Sequence, residues 1–213
     1  MADNDLFPDL EITQIKFEVL PMSRLREHQA FRYQVFGEEL GYLNESTCPD
    51  RLDSDEYDPY SSHILASYKG VPIACCRVIY NNSYPKPSYT EKFFNLPPPA
   101  LPRDAIAELG RFALASNVRN PRLSLMIRFG LLGVACEDAL SRGVSHFYVF
   151  MHGAGYALLR RSGIPCEMIQ NYKETGYNGY YSDYFDPNDT YPSLMSVTTS
   201  LLVVRGVFNS FVK

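Results

Sequence analysis

The chain has 213 residues, enough for one domain with a sizeable core, and residues 1–213 are read as a single domain. Hydrophobic residues make up 46% and charged residues 21%, a balance that excludes a disordered chain and fits a soluble globular protein. A net charge of −4 argues against a nucleic-acid binder that works through a basic face.

The opening residues, MADNDLFPDLE, have no basic n-region and no apolar h-region, so no signal peptide is expected. No run reaches the roughly 18 apolar residues of a membrane span, and the expected location is the cytoplasm. The cysteines, Cys48, Cys75, Cys76, Cys136 and Cys166, are odd in number and form no CxxC, which suggests reduced thiols. His28, His63, His146 and His152 are scattered without metal-ligand spacing, so no metal is expected. No GxSxG, Walker A or GxGxxG motif occurs. The aromatic load, 16 Tyr and 13 Phe without Trp, suits either a well-filled core or a pocket for a long apolar ligand.

Residues 12–20 read as a first strand. Residues 23–40 read as a helix with Ser23 as N-cap, an apolar stripe of Leu25, Phe31, Val35, Phe36 and Leu40, and Gly41 as its end. Arg32 and Phe36 are four apart and share a face. Residues 44–62 form an acid-rich loop around Asp55 and Asp58, either a solvated loop or one ordered to hold a cation. Residues 63–68 and 72–80 read as a hairpin turning at Lys69-Gly70. Arg77 inside its second strand either snorkels from an edge or needs a carboxylate such as Asp55 or Asp58. Residues 81–103 are a Pro-rich connection, a flap or a crossover, in which Phe93 and Phe94 could cover an apolar pocket.

Residues 105–115 are the stretch of most interest. Strict alternation puts Glu108 and Arg111 on opposite faces of an otherwise apolar strand, a costly arrangement unless each charge has a partner. Gly110 between them suggests a bulge or a close backbone approach by another group, and a bulge there would turn Arg111 toward the face of Glu108. A structural ion pair and a functional site both fit. Residues 122–142 then read as a long amphipathic helix ending at Gly143, 144–152 as a buried strand, 154–162 as a short helix and 165–170 as a strand. The Tyr-rich residues 171–192 give no clear pattern, and 194–205 fit strand and helix equally well.

This order resembles the GNAT acyl-CoA N-acyltransferase fold, an α/β (α+β) architecture with a central mixed twisted sheet flanked by helices. Four segments carry a sharper resemblance to the autoinducer (acyl-homoserine-lactone) synthases. They are Arg32-Tyr33-Gln34-Val35-Phe36 with Leu40-Gly41-Tyr42, the acid loop Asp55-Glu56-Tyr57-Asp58, the strand arginine Arg77, and Glu108-Leu109-Gly110-Arg111-Phe112. A sister group, the long-chain N-acyl amino acid synthases and the acyltransferases associated with PEP-CTERM/exosortase systems, is similar in Phe31–Phe36 with Gly41-Tyr42 and in Asp55–Asp58 followed by Ser61-Ser62-His63. Tyr42 stands where autoinducer synthases usually carry Trp, and Gly110 where they carry Ser. Residues 115–125 lack glycine, so the Gly-rich phosphate turn of coenzyme A enzymes is missing.

The resemblance implies transfer of a long-chain acyl group from an acyl carrier protein thioester to the amino group of an amino acid, with no cofactor. The alternatives are an autoinducer synthase using S-adenosylmethionine, a small-acyl coenzyme A acetyltransferase, and a GNAT-like binding module without catalysis. Glu108 is the expected general base, and backbone N–H groups near Gly110–Phe112 or at a splayed neighbouring strand are the expected oxyanion donors. Arg32, Phe36, Tyr42, Asp55, Asp58, Arg77, Gly110, Arg111 and Phe112 are the expected substrate-binding residues. Leu125, Phe129, Phe147 and Val149 are expected to line the acyl chain, and Arg119, Arg122 and Arg128 to meet the acidic carrier protein.

Overall fold

The computed structural model describes residues 11–43, 45–80, 88–96, 100–174 and 189–211. The first ten residues, most of the Tyr-rich segment and parts of the Pro-rich connection therefore lie outside the described residues. The elements in chain order are β1 (Ile15–Leu20), α1 (Leu25–Tyr33), β2 (Ser61–Tyr68), β3 (Val71–Tyr80), α2 (Tyr89–Phe93), β4 (Phe94–Asn95), β5 (Ile106–Leu114), α3 (Pro121–Ser141), β6 (His146–His152), α4 (Gly153–Arg161), β7 (Cys166–Met168), β8 (Lys173–Glu174), β9 (Thr190–Ser196) and α5 (Val197–Phe211).

A seven-stranded sheet runs in the order β1-β2-β3-β5-β6-β9-β7, with β4 and β8 paired separately. Every neighbour pair in the large sheet is antiparallel except β5 and β6. Alternation in β3 splits its side chains between two cores. Cys76, Val78 and Tyr80 join the main cluster under α3 and α5, whereas Cys75 joins the cluster under α1. Both faces being covered, the strand reads as a nearly continuous apolar run. All five cysteines are free and buried. The β2–β3 turn has positive φ at Lys69 (49°) and Gly70 (80°), as a two-residue type I′ hairpin requires.

The helix expected over 23–40 is three pieces: a 3-10 turn at Met22–Arg24, α1, and a π-helical stretch at Gln34–Glu39. Ser23 lies inside the first turn and does not cap α1. The π stretch, closed by Leu40 N–H donating to Val35 O at 3.0 Å, winds in an extra residue. Leu40 is thereby rotated out of the stripe and left 50% exposed, while Val35 and Phe36 stay buried.

Helix α3 starts where the Asn120 side chain accepts from the N–H groups of Arg122 (3.0 Å) and Leu123 (3.1 Å), with Pro121 at its first position. It is not amphipathic in the simple sense, because α5 covers a second side of it. Gly130 lets Phe17 pack against α3: a Cβ there would meet the Phe17 ring at 2.3 Å. The ambiguous residues 194–205 are both elements in succession. Strand β9 ends at Ser196, whose hydroxyl accepts from Thr199 N–H at 3.4 Å, and α5 follows.

Candidate active site

Strand β5 carries the bulge, one residue later than Gly110. Gly110 pairs with Arg77 and Ala113 with Cys75, so Arg111 and Phe112 together stand opposite Cys76. Arg111 adopts φ 54°, a left-handed conformation that costs a non-glycine residue of order 1 kcal/mol. The extra residue reverses the alternation. Leu109 and Phe112 pack toward the main core, Ala113 packs toward the α1 core, and Arg111 comes to the side of Arg77 and the acid loop. Its ion pairs there offset the strain.

Three arginines from three elements converge on three aspartates of one loop. Arg32 of α1 forks onto Asp58 with Nη1–Oδ1 and Nη2–Oδ2 both at 3.0 Å. Its Nε lies 3.0 Å from Asp53 Oδ2, an ion-pair contact without hydrogen-bond alignment. Its Nη2 also donates to the Asp53 carbonyl. Arg77 Nη1 reaches Asp55 Oδ1 at 2.7 Å and Asp58 Oδ1 at 2.6 Å. Arg111 reaches Asp53 Oδ2 at 3.2 Å and Asp55 Oδ2 at 3.3 Å, with its guanidinium 5.0 Å from the Tyr89 ring centroid. Gln29 Nε2 donates to Asp58 (2.8 Å) and the Tyr89 hydroxyl to Asp55 (3.1 Å). Burial alone would raise both carboxyls, but the arginines outweigh it. Arg77 and Arg111 hold Asp55 at about 2, and Arg32 and Arg77 hold Asp58 well below the usual range.

The acid loop is thus an ordered, buried counter-charge and not a solvated run. Asp53, which the sequence reading passed over, completes the balance. Gln29, three residues before Arg32 on the same face of α1, adds a neutral donor to Asp58. Behind them, His28 and His63 are buried with Nδ1 atoms 3.3 Å apart, each Nε2 facing a carbonyl oxygen, Cys76 O at 3.1 Å and Asp58 O at 2.9 Å.

Glu108 is 2% exposed, and its Oε2 accepts the Thr90 N–H at 2.7 Å. Burial pushes its carboxyl up, and the Thr90 N–H partly opposes this. Helix α2, which supplies that N–H, is fixed by a capping box between Ser88 and Glu91.

Strands β5 and β6 pair only over Ile106–Glu108 and His146–Tyr148. Beyond that point β5 is held by β3 and β6 by β9, and the two part. A cavity of about 400 Å³ opens in the gap. On the α1 side it is lined by Phe36, Arg77, Ile79, Glu108, Gly110 and Arg111. On the α3 side its walls include Leu125, Phe129, Leu132, Val149, Met151 and Met195. The cavity therefore passes through the sheet, polar on one face and apolar on the other.

Of the expected substrate-binding residues, Phe36, Arg77, Gly110, Arg111 and Phe112 line this cavity, as does Glu108. Arg32, Asp55 and Asp58 do not; the two aspartates stand behind Arg77 and Arg111 as their counter-charges, and Arg32 pairs with Asp58 in turn. Tyr42 packs on the α1 core instead. Of the expected acyl-chain residues, Leu125, Phe129 and Val149 line the cavity. Phe147 does not: it lies below the parting of the strands, where β6 is still paired with Ala107, and is fully buried in the main core. Phe93 and Phe94 stack on Phe150, which does line the cavity. Arg119, Arg122 and Arg128 are exposed, and Arg128 borders the cavity. Leu132, Met151, Leu158, Leu159 and Met195 were not singled out in the sequence; the pairing of β6 with β9 and the packing of α3 and α4 bring them there. Among the described residues no cluster of His, Cys, Asp and Glu could hold a metal ion, and no helix is long and apolar enough to cross a membrane.

Residues 31–128 match the family model described as an acetyltransferase (GNAT) domain. No curated protein matches the chain. Among solved structures, the AHL synthase LasI superposes with a TM-score of 0.65 at 16% identity, over 90% of this chain and 95% of that one. The CoA-dependent acyl-homoserine lactone synthase BjaI, solved with SAM and isopentyl-CoA, gives 0.66 at 18% identity, over 92% and 89%. TofI, solved in a ternary complex with an inhibitor and MTA, gives 0.61 at 19% identity, over 90% and 96%. At these identities the likeness establishes the fold. The match to a GNAT acetyltransferase domain over residues 31–128, with a GNAT-like fold around it, marks the chain as an acyltransferase.

Proposed function

We propose that the protein is an N-acyltransferase that moves a long-chain fatty acyl group from an acyl carrier protein thioester to the amino group of an amino acid. The observation that carries this reading is the cavity through the sheet, with Glu108 on its polar face and an apolar bore on the other. The acceptor amine loses a proton to Glu108, directly or through one water, and attacks the thioester carbonyl carbon. The C–N bond forms, backbone N–H groups at the parted strands stabilise the oxyanion, and collapse breaks the C–S bond. The thiolate leaves and takes up a proton. A raised Glu108 pKa suits a base that must accept a proton near neutrality.

A protein-bound donor is favoured by the start of α3. The Arg122 and Leu123 N–H groups are already taken by Asn120, which removes them from the usual role of helix N-termini toward phosphate. The exposed Arg119, Arg122 and Arg128 supply positive charge for an acidic carrier.

A second reading, acyl-homoserine-lactone synthesis from S-adenosylmethionine, is supported by the charge count. Three aspartates match three arginines, so the cluster has no surplus cation reserved for an amino acid carboxylate. The departures at Tyr42 and Gly110 weigh on the other side. The test is thiol release from acyl carrier protein thioester and from acyl-CoA, with each acceptor offered separately. Product mass identifying an N-acyl amino acid supports the first reading. Stimulation by S-adenosylmethionine alone, with a lactone product, establishes the second.

A further inference from the structure

We infer that Gly110 is the residue that sets acceptor size, and that the acceptor is an amino acid with a large apolar or aromatic side chain. This rests on the N-acyl amino acid reading above. Glycine is usually required where the backbone is left-handed or another atom comes close. Neither holds at Gly110. Its φ lies outside the left-handed region, and the strained angle falls on Arg111 instead. A Cβ built at Gly110 would meet nothing within 4 Å. Gly110 pairs squarely with Arg77, so the ladder does not demand it either. A glycine in mid-strand weakens the strand, and here nothing in the fold compensates.

What the missing side chain leaves is space, and its position is specific. Gly110 lines the cavity two residues after Glu108 on the same face of β5, across the ladder from Arg77. The amine must lie at Glu108, so the substituent on its α-carbon reaches the surface next to it. That surface is the bare backbone of Gly110. Arg77, Glu108 and Arg111 on this face are held by Asp55 and Asp58, by the Thr90 N–H and by Asp53 and Asp55, and the remaining side chains of the face include the apolar Phe36, Ile79 and Phe150. A glycine acceptor would leave the space unfilled, whereas a leucine, phenylalanine or tyrosine side chain would occupy it.

The test is kcat/KM for alanine, valine, leucine, phenylalanine and tyrosine as acceptors with one long-chain thioester donor. It is run on the wild type and on the Gly110→Ala and Gly110→Val variants. One methylene in an apolar pocket is worth roughly 10–200-fold in discrimination. The wild type is expected to favour phenylalanine or leucine over alanine by at least about tenfold. Gly110→Val is expected to lower that ratio by at least about tenfold, and Gly110→Ala by less in the same direction, whatever the absolute rates. Valine suits a strand, and if it nonetheless prevents folding, the alanine variant and the wild-type series decide. A wild-type preference for alanine, or ratios unchanged in both variants, overturns the assignment of Gly110 while leaving amino acid acylation standing. Turnover with no amino acid at all overturns the acceptor reading itself and this inference with it.

Discussion

Replacing Asp58 by Asn should destabilise the protein severely while changing almost nothing in shape. Asp58 is 1% exposed and accepts from Gln29, from both arms of Arg32 and from Arg77. Arg32 and Arg77 are themselves 0% and 1% exposed. The substitution turns a balanced cluster of three cations and three anions into one with an uncompensated buried positive charge, and points an amide N–H₂ at guanidinium donors. Breaking a buried pair from one side costs about 3–5 kcal/mol. For a chain of this size each kcal/mol moves Tm by roughly 2–4 °C, so the expected drop is roughly 6–20 °C. Circular dichroism melts and urea titrations measure it. The control is Glu38→Gln, which removes an exposed ion pair with Arg51 and should cost at most about 1 kcal/mol. A Tm for Asp58→Asn within about 2 °C of wild type would refute the view that this loop is a buried counter-charge.

Gly130→Ala drives a methyl group into the Phe17 ring and should cost about 1–3 kcal/mol by overpacking, read as a lowered urea midpoint. Asp55 at about 2 and Asp58 lower still sit below their unfolded values near 3.9. Their stabilisation is therefore complete above about pH 4 and is lost as pH falls toward 2; Tm followed from pH 7 to pH 2.5 should drop there, and a flat profile would contradict it. Glu108 has the opposite shift, so the acid limb of kcat/KM should lie above the ordinary glutamate range, and an acid limb within that range would remove burial as its cause. A long-chain acyl carrier protein thioester should be turned over faster than acetyl-CoA; the reverse order would contradict the donor assignment.

Much of this was legible in the sequence where local rules dominate. The hairpin at Lys69-Gly70, the close of the long helix before Gly143 and the strand around Glu108 follow from turn chemistry, a glycine C-cap and alternation. The GNAT fold followed from the order of these elements. Two opposite charges in an apolar strand flagged β5, and a bulge was the one local device that could bring them to a common face. Its position at Arg111 was not legible, because the register is set by Arg77 and Cys75 on β3. Asp53 was missed because one acid among several in a loop carries no local mark; three buried arginines seeking partners were the available signal. The π stretch that exposes Leu40 and the parting of β5 from β6, which excludes Phe147 from the cavity, depend on contacts distant in sequence.

The central claim is that Glu108, at the polar face of a cavity through the sheet, takes the proton from an attacking amine. Glu108→Gln tests it most directly, because a glutamine oxygen still accepts the Thr90 N–H while the base is gone. Amine-dependent thiol release from a long-chain thioester is expected to fall by about 10²–10⁴-fold. Thermal stability should hold or rise, since a buried carboxylate is replaced by a neutral group. Near-normal release by a folded Glu108→Gln protein would make Glu108 structural, and no amine-dependent release by the wild type would mean that the cavity binds acyl groups without transferring them.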